Sequence, residues 1–260
     1  MSEYLIEVRD RVATLTLNRP ATRNALTVAQ LQAMAPRIEA LYGDPEARVL
    51  VVTGAEGAFS SGADLMANAG SMQAGPEGAA TALAAFHAML RAVWNFSGPT
   101  LAVIPGVAVG FGFDLALACD LRVASASARF SQSFARIALV PDGGSSLTLQ
   151  RLVGSAKAYE LMYLAELFGA AEALEMGLIN RVVPDAELGE HARALAVRLA
   201  AGPPRAYRLM KANMRAALGF SMEDALDNEA AAQLQCLGAP DMMAGVAAWM
   251  SKTTPEFSDR

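Results

Sequence analysis

The chain has 260 residues, 53% hydrophobic and 18% charged, with a formal net charge of −5. So much apolar residue buries a sizeable core in one domain or one and a half, which excludes a disordered chain. The acidic balance argues against nucleic acid as a partner, no apolar window is long enough for a membrane helix, and the N-terminal MSEYLIEVRD lacks a signal-like run, so a cytoplasmic location is expected.

VATLTLNRP (12–20) alternates with the period of a strand and ends on the turn-forming Asn18-Arg19-Pro20. TVAQLQAMAPRIEALYGDP (27–45) has the spacing of an amphipathic helix, with Thr27 as N-cap and Gly43 and Pro45 as the stop. RVLVVTGAEGAFSSGAD (48–64) predicts a buried strand entering a glycine-rich turn. GSMQAGPEGAA (70–80) predicts a loop, either mobile over a site or a plain surface connection. TALAAFHAMLRAVWNFSGP (81–99) predicts a helix closed by Gly98-Pro99. TLAVIPGVAVG (100–110) is strand-like and broken at Pro105-Gly106, FGFDLALACD (111–120) is a short helix, and LRVASASARFS (121–131) is a strand. After residue 143 the pattern is helical almost throughout. Pro203-Pro204 opens a helix over 205–218, and Ser221 reads as an N-cap before an acidic turn. Recurring strand–turn–helix units indicate an α/β class, organised as a core over 1–185 and a helical C-terminal region over 186–260.

Cys119 and Cys236 lie in helical-looking stretches and are expected to be buried, reduced thiols. His87 and His191 have no His, Cys or carboxylate at ligand spacing; both read as helix-face histidines, and no metal is expected.

Two stretches share a logic. AFSSGAD (58–64) and GVAVGFGFD (106–114) each carry an apolar strand into a glycine turn and a short helix. Glycine lets the main chain approach a ligand closely, and a helix start leaves N–H groups unpaired. Two such turns facing each other would aim two donors at one oxygen. The plain alternative is two ordinary turns of an α/β protein. In ALVPDGGSSLTLQRLVG (138–154) one carboxylate, Asp142, stands in apolar surroundings. Its plain reading is a cap for the helix that begins at Gly143.

NRPATRNAL (18–26), GAFSSGADL (57–65), VAVGFGFDLALACDLRVAS (107–125), LVPDGGS (139–145) and WMSKTTPEF (249–257) together resemble, in order and spacing, the enoyl-CoA hydratase/isomerase or crotonase superfamily. The resemblance covers nearly the whole chain. It implies a crotonase-like spiral of strand–turn–helix units, an acyl-CoA substrate with no separate cofactor, and a homotrimer or dimer of trimers built through the C-terminal helices. It also implies an oxyanion hole made by the main-chain N–H groups of Ala63 and Phe111, the family usually having glycine at the second. CoA would lie against Arg23, Ala25, Ala63, Asp64 and Leu65. Lys252 would reach the CoA of a neighbouring subunit, with Thr253 where the family usually has a second basic residue.

A hydratase of this family handles water with two glutamates. The first matches Asp114, one methylene shorter, which leaves open whether it reaches a substrate or serves the structure. The second matches Phe134, which transfers no proton. VPDGG resembles the isomerase-like subgroup of phenylacetate catabolism, where an aspartate here is the acid/base. The implied reaction is double-bond isomerisation of an enoyl-CoA through a thioester enolate, with Asp142 shuttling the proton and Asp114 as second acid/base. The alternatives are hydration of a 2-enoyl-CoA and a non-catalytic acyl-CoA-binding role. GFGFDL lacks the third glycine of a dinucleotide fingerprint, and no Gly-x-Ser-x-Gly occurs, which argues against a dinucleotide oxidoreductase and a serine hydrolase. Phe111, Phe134 and Met66 are candidate acyl-pocket residues, with a core position as the default for each.

Overall fold

The computed structural model describes residues 2–258. Its first two strands, β1 (Tyr4–Arg9) and β2 (Val12–Leu17), form an antiparallel hairpin with Tyr4 opposite Leu17. The sequence reading passed over β1, because it lies at the sheet edge and most of its side chains are exposed. From β2 onward the main sheet is parallel. It continues through β3 (Val49–Gly54), β4 (Thr100–Ile104), β6 (Leu121–Ser125) and β9 (Arg181–Val183), in the order β1-β2-β3-β4-β6-β9. β4 is buried along its whole length, as a strand covered on both faces must be.

A second sheet of three short strands, β5 (Val107–Val109), β7 (Arg129–Ser131) and β8 (Phe168–Gly169), stands beside it. The stretches 100–110 and 121–131, each read as one strand, therefore split, and their halves join different sheets. Pro105-Gly106 and the turn over 126–128 are where the chain crosses between sheets. The first crossing brings β5 alongside the bend after β3, where Ala108 bridges Ser60.

Among the described residues, the α-helices of this α/β body are α1 (Val28–Glu39), α2 (Ala69–Gln73), α3 (Gly75–Trp94), α4 (Phe111–Leu117), α5 (Ser145–Leu164) and α6 (Ala170–Glu175). Thr27 caps α1 in a capping box with Gln30. The loop expected over 70–80 is helical, forming most of α2 and the start of α3. Pro76 sits in the first turn of α3, where a missing N–H leaves no bond unmade, and the alanines that follow favour helix. α5 is interrupted at Gly154, whose φ is +76°. The main core gathers Phe59, Phe96, Phe111, Phe113 and Phe130, all essentially inaccessible, between the sheets and helices.

The C-terminal region comprises α7 (Leu188–Ala200), α8 (Pro204–Ala216), α9 (Met222–Cys236) and α10 (Pro240–Ser251). Leu188, Ala192, Ala196 and Ala200 of α7 cover Val49, Val51, Leu101, Val103 and Val123, so this region begins as part of the sheet's own cover. Lys211 and Arg215 of α8 hold Asp120 at 2.7 and 3.3 Å, and Arg215 stacks 4.2 Å over the Trp94 ring. Cys119 and Cys236 are free thiols; Cys119 is buried as expected, whereas Cys236 is only half-buried. Among the described residues no helix is long and apolar enough to cross a membrane.

Candidate active site

The segment after β2 and the bend after β3 are built as one unit. Asn24 donates from Nδ2 to the carbonyls of Ala55 (2.9 Å) and Ala58 (2.8 Å), and its Oδ1 accepts the N–H of Arg19. The N–H of Ser61 donates to Arg23 O, that of Leu26 to Gly62 O, and that of Asp64 to Leu26 O. Leu26 and Ala63 thus form a parallel bridge in which residues 62 and 64 face Leu26. Alternation along an extended chain turns the N–H of Ala63 to the other side.

On that side runs the second turn. Ser60 bridges Ala108, and the Val109 N–H donates to Ser60 O at 3.0 Å. Gly62 has φ of +92°, and a methyl group there would stand 2.8 Å from Val109 O and 3.5 Å from Phe111 N. Only glycine allows this approach, which sets the Phe111 amide beside residue 62. Among the described residues, neither the N–H of Ala63 nor that of Phe111 donates to a protein acceptor. The Phe111 side chain turns away into the core and meets Phe86 edge-on, with ring centroids 4.6 Å apart. The core position expected by default for Phe111 is therefore observed.

Asp114, one turn into α4, is fully buried. Its Oδ1 accepts from Gln132 Nε2 at 2.7 Å and its Oδ2 from the Gly143 N–H at 3.1 Å. Burial pushes its pKa up to about 7 against the opposing pull of Gln132, and the nearby Asp142 charge adds to the rise. Gly143 is obligatory here, since a methyl group on it would stand 2.5 Å from Asp114 Oδ2. The next residue back is Asp142, half-buried in the loop before α5. Burial raises its pKa too, opposed by its own backbone N–H and by the charge of His87 on α3. Gln132 Oε1 and Asp142 Oδ1 are buried without a hydrogen-bond partner among the described residues, and both belong to this cluster. Buried polar atoms are nearly always paired, which sets these atoms apart from the rest of the interior.

Phe134 is buried, with its ring about 4 Å from where a side chain at Gly110 would begin, so an apolar ring closes the position matched to the second hydratase glutamate. Met66 is 87% exposed, against the core position expected for it. Of the residues matched to CoA contacts, Arg23 is exposed, with a left-handed φ of +54°, Ala25 is buried, and Leu65 is exposed. Asp64 is held by Arg19 at 2.9 Å and caps the N–H of Ala67, which keeps its carboxyl below the usual range. Lys252 is exposed at the end of α10, and Arg48, just before β3, donates to Phe257 O in the segment that follows it. Gln132 is the buried side chain at this cluster that sequence reasoning missed; nothing in its local sequence announces that it meets Asp114, 18 positions away.

A model of the enoyl-CoA hydratase/isomerase family matches residues 7–260. The chain belongs to the enoyl-CoA hydratase/isomerase family. Among family members, it is 37% identical over 261 residues to the "Probable enoyl-CoA hydratase" of Rhodobacter capsulatus, covering 98% of this chain and 97% of the relative. It is 32% identical to the 2,3-dehydroadipyl-CoA hydratase of Escherichia coli over the full length of both. The crystal structure of an enoyl-CoA hydratase from Bacillus anthracis superposes with a TM-score of 0.94 at 30% identity, covering 100% of each chain. These relatives bear hydratase names, which favours hydration over the isomerisation expected from sequence. None of the three bears the name of a phenylacetate-pathway isomerase.

Proposed function

We propose that this enzyme moves a proton at C2 of an enoyl-CoA thioester, and that the arrangement of its carboxyl groups suits a double-bond shift. The observation that carries the reading is that Asp142 has a buried unpaired carboxyl oxygen, whereas both oxygens of Asp114 are already engaged. In the ionised form Asp142 removes a proton from C2 of a 3-enoyl-CoA. The electron pair spreads onto the thioester oxygen, where the N–H groups of Ala63 and Phe111 stabilise it, each donor being worth about 3–4 kcal/mol. The neutral carboxyl then returns the proton at C4, and the double bond ends between C2 and C3. One mobile acid/base suffices for this sequence.

Hydration of a 2-enoyl-CoA is the second reading, and the names of the relatives favour it. It requires water to be held at C3 while C2 is protonated. With a phenyl ring at residue 134 and Asp114 enclosed, that work would fall to Asp142 alone. A panel of 2-enoyl- and 3-enoyl-CoA thioesters separates the readings. Isomerisation raises the ultraviolet absorbance of the conjugated thioester at constant mass. Hydration lowers it and adds the mass of one water. Thermal stabilisation by the thioesters without turnover would instead make this a binding member of the family.

The CoA contacts through Arg23, Ala25 and Leu65 are proposed with it, as is a trimer or pair of trimers in which Lys252 reaches a neighbouring subunit's CoA. Met210, Met214, Met222, Trp249 and Met250, exposed apolar side chains of the C-terminal helices, support such an assembly.

A further inference from the structure

The Ala63 amide is held by very little main-chain pairing. The parallel bridge between Leu26 and Ala63 is isolated, closed by the Leu26 N–H on Gly62 O at 2.8 Å and the Asp64 N–H on Leu26 O at 2.9 Å. Two bonds meeting at one residue leave a chain free to twist about that point. One side chain widens the attachment. Arg19 Nη1 donates to Ala25 O at 2.8 Å and meets Asp64 Oδ2 at 2.9 Å. A single guanidinium nitrogen thus spans the residue before Leu26 and the residue after Ala63, one on each segment of the bridge. Asp64 Oδ1 accepts the Ala67 N–H at 2.9 Å, so both oxygens of this carboxylate are engaged.

Arg19 is itself anchored. Its N–H donates to Asn24 Oδ1, the Asn24 N–H donates to Arg19 O, and its Nε lies 3.5 Å from Glu3 Oε1. The side chains of Arg19 and Asp64 are largely shielded from water, where a charge-assisted bond to a planar guanidinium is short and directional. An arginine beside the segment proposed to hold CoA has a second conceivable task, contact with a phosphate. Asp64 opposes it, because the carboxylate already neutralises Arg19 and would repel a phosphate.

We propose that Arg19 is a positioning residue for the reaction: through Asp64 and Ala25 O it fixes the rotation of the Ala63 peptide, so that the Ala63 N–H stays aimed at the thioester oxygen, a role that rests on the reading of Ala63 as an oxyanion donor. Arg19 touches no reacting atom and exchanges no proton.

The test is infrared difference spectroscopy of bound butanoyl-CoA, isotopically labelled at its carbonyl carbon. This thioester is saturated and has no double bond to shift or hydrate. Hydrogen bonds to the carbonyl oxygen lower its stretching frequency, so the band in the wild type should lie below that of the free thioester. In Arg19→Gln it should return part of the way, since the Phe111 donor remains. Asp64→Ala should do the same, and the double variant no more than either alone, because both substitutions remove one contact. The kcat for the unsaturated substrate should fall about 10- to 10²-fold, the scale of a small misplacement, with little change in KM. Arg19→Lys keeps the charge without the planar fork, preserves the fold most nearly, and should give an intermediate band. A wild-type band position in folded Arg19→Gln and Arg19→Lys overturns the proposal, even where the melting temperature falls, since Arg19 would then serve stability alone. A raised KM with kcat and band unchanged overturns it in favour of a CoA contact. A wild-type band no different from that of the free thioester is a separate result: it removes the oxyanion reading itself, and the role of Arg19 with it.

Discussion

Asp114 Oδ2 accepts the main-chain N–H of Gly143, the residue that follows Asp142. One buried carboxylate thereby fixes the loop that carries the other. Both oxygens of the first acid are engaged while one oxygen of the second has no partner, a difference that two acids of the same type in one apolar region do not declare in sequence.

Asp142→Asn should lower turnover by at least about 10²-fold, the usual worth of a positioned acid/base, with little change in KM. Burial disfavours the carboxylate of Asp142 in the folded protein, so the neutral variant should melt no lower than the wild type at neutral pH. Parallel kinetics and thermal melts test both statements. Loss of stability together with activity would make Asp142 a helix cap and nothing more.

Asp114→Asn should behave in the opposite way. Gln132 and Gly143 each aim an N–H at a different oxygen of Asp114, and an amide offers only one acceptor. A donor left facing a donor in this buried position should cost about 1–3 kcal/mol of stability. Activity should fall too, through displacement of the 142–144 loop, but less than in Asp142→Asn. Chemical denaturation and steady-state rates measure the two effects.

The same residue predicts a pH dependence. The pKa of Asp114 is about 7 in the folded chain against an ordinary 3.8, so between these values the folded state binds more protons than the unfolded state. Its contribution to stability is then present at low pH, declines as pH rises from about 4 to about 7, and is level above that. The raised pKa of Asp142 acts with the same sign. Melting curves of wild type and Asp114→Asn, compared over this range, should show the wild type losing ground as pH rises. A difference independent of pH would contradict the elevated value.

Gly62→Ala places a methyl group 2.8 Å from Val109 O at a φ of +92°. It should destabilise the fold by about 1–3 kcal/mol and push the two turns apart. If the amides of Ala63 and Phe111 share one oxyanion, kcat should fall toward the about 10²-fold loss typical of removing one donor. Rates measured well below the melting temperature separate the two effects.

Phe111→Ala isolates side chain from main chain. The ring fills core against Phe86, so its loss should cost about 3–5 kcal/mol. The main-chain donor remains, and folded protein should retain most of its turnover at low temperature. Collapse of kcat in a well-folded variant would give the ring a catalytic duty that the geometry does not assign to it.

What the sequence determined by itself is local or carried by pattern. The Thr27 cap, the strand at 49–54, the glycine bends at 62 and 110 and the unpaired look of VPDGG all depend on neighbours within a few residues, and the ordered set of motifs resembled one family. The tertiary structure alone decided what lies between distant segments. It buried Asp114 against Gln132 and Gly143, which lie 18 and 29 positions along the chain, and turned the Phe111 ring onto Phe86 of a different helix. It also made 70–80 helical where its glycines and proline suggested a loop. The reason is physical. Dihedral preference and capping act over a turn or two of chain, whereas desolvation and charge–charge coupling depend on which surfaces close over a group, and that is settled only when the sheets and α3 pack.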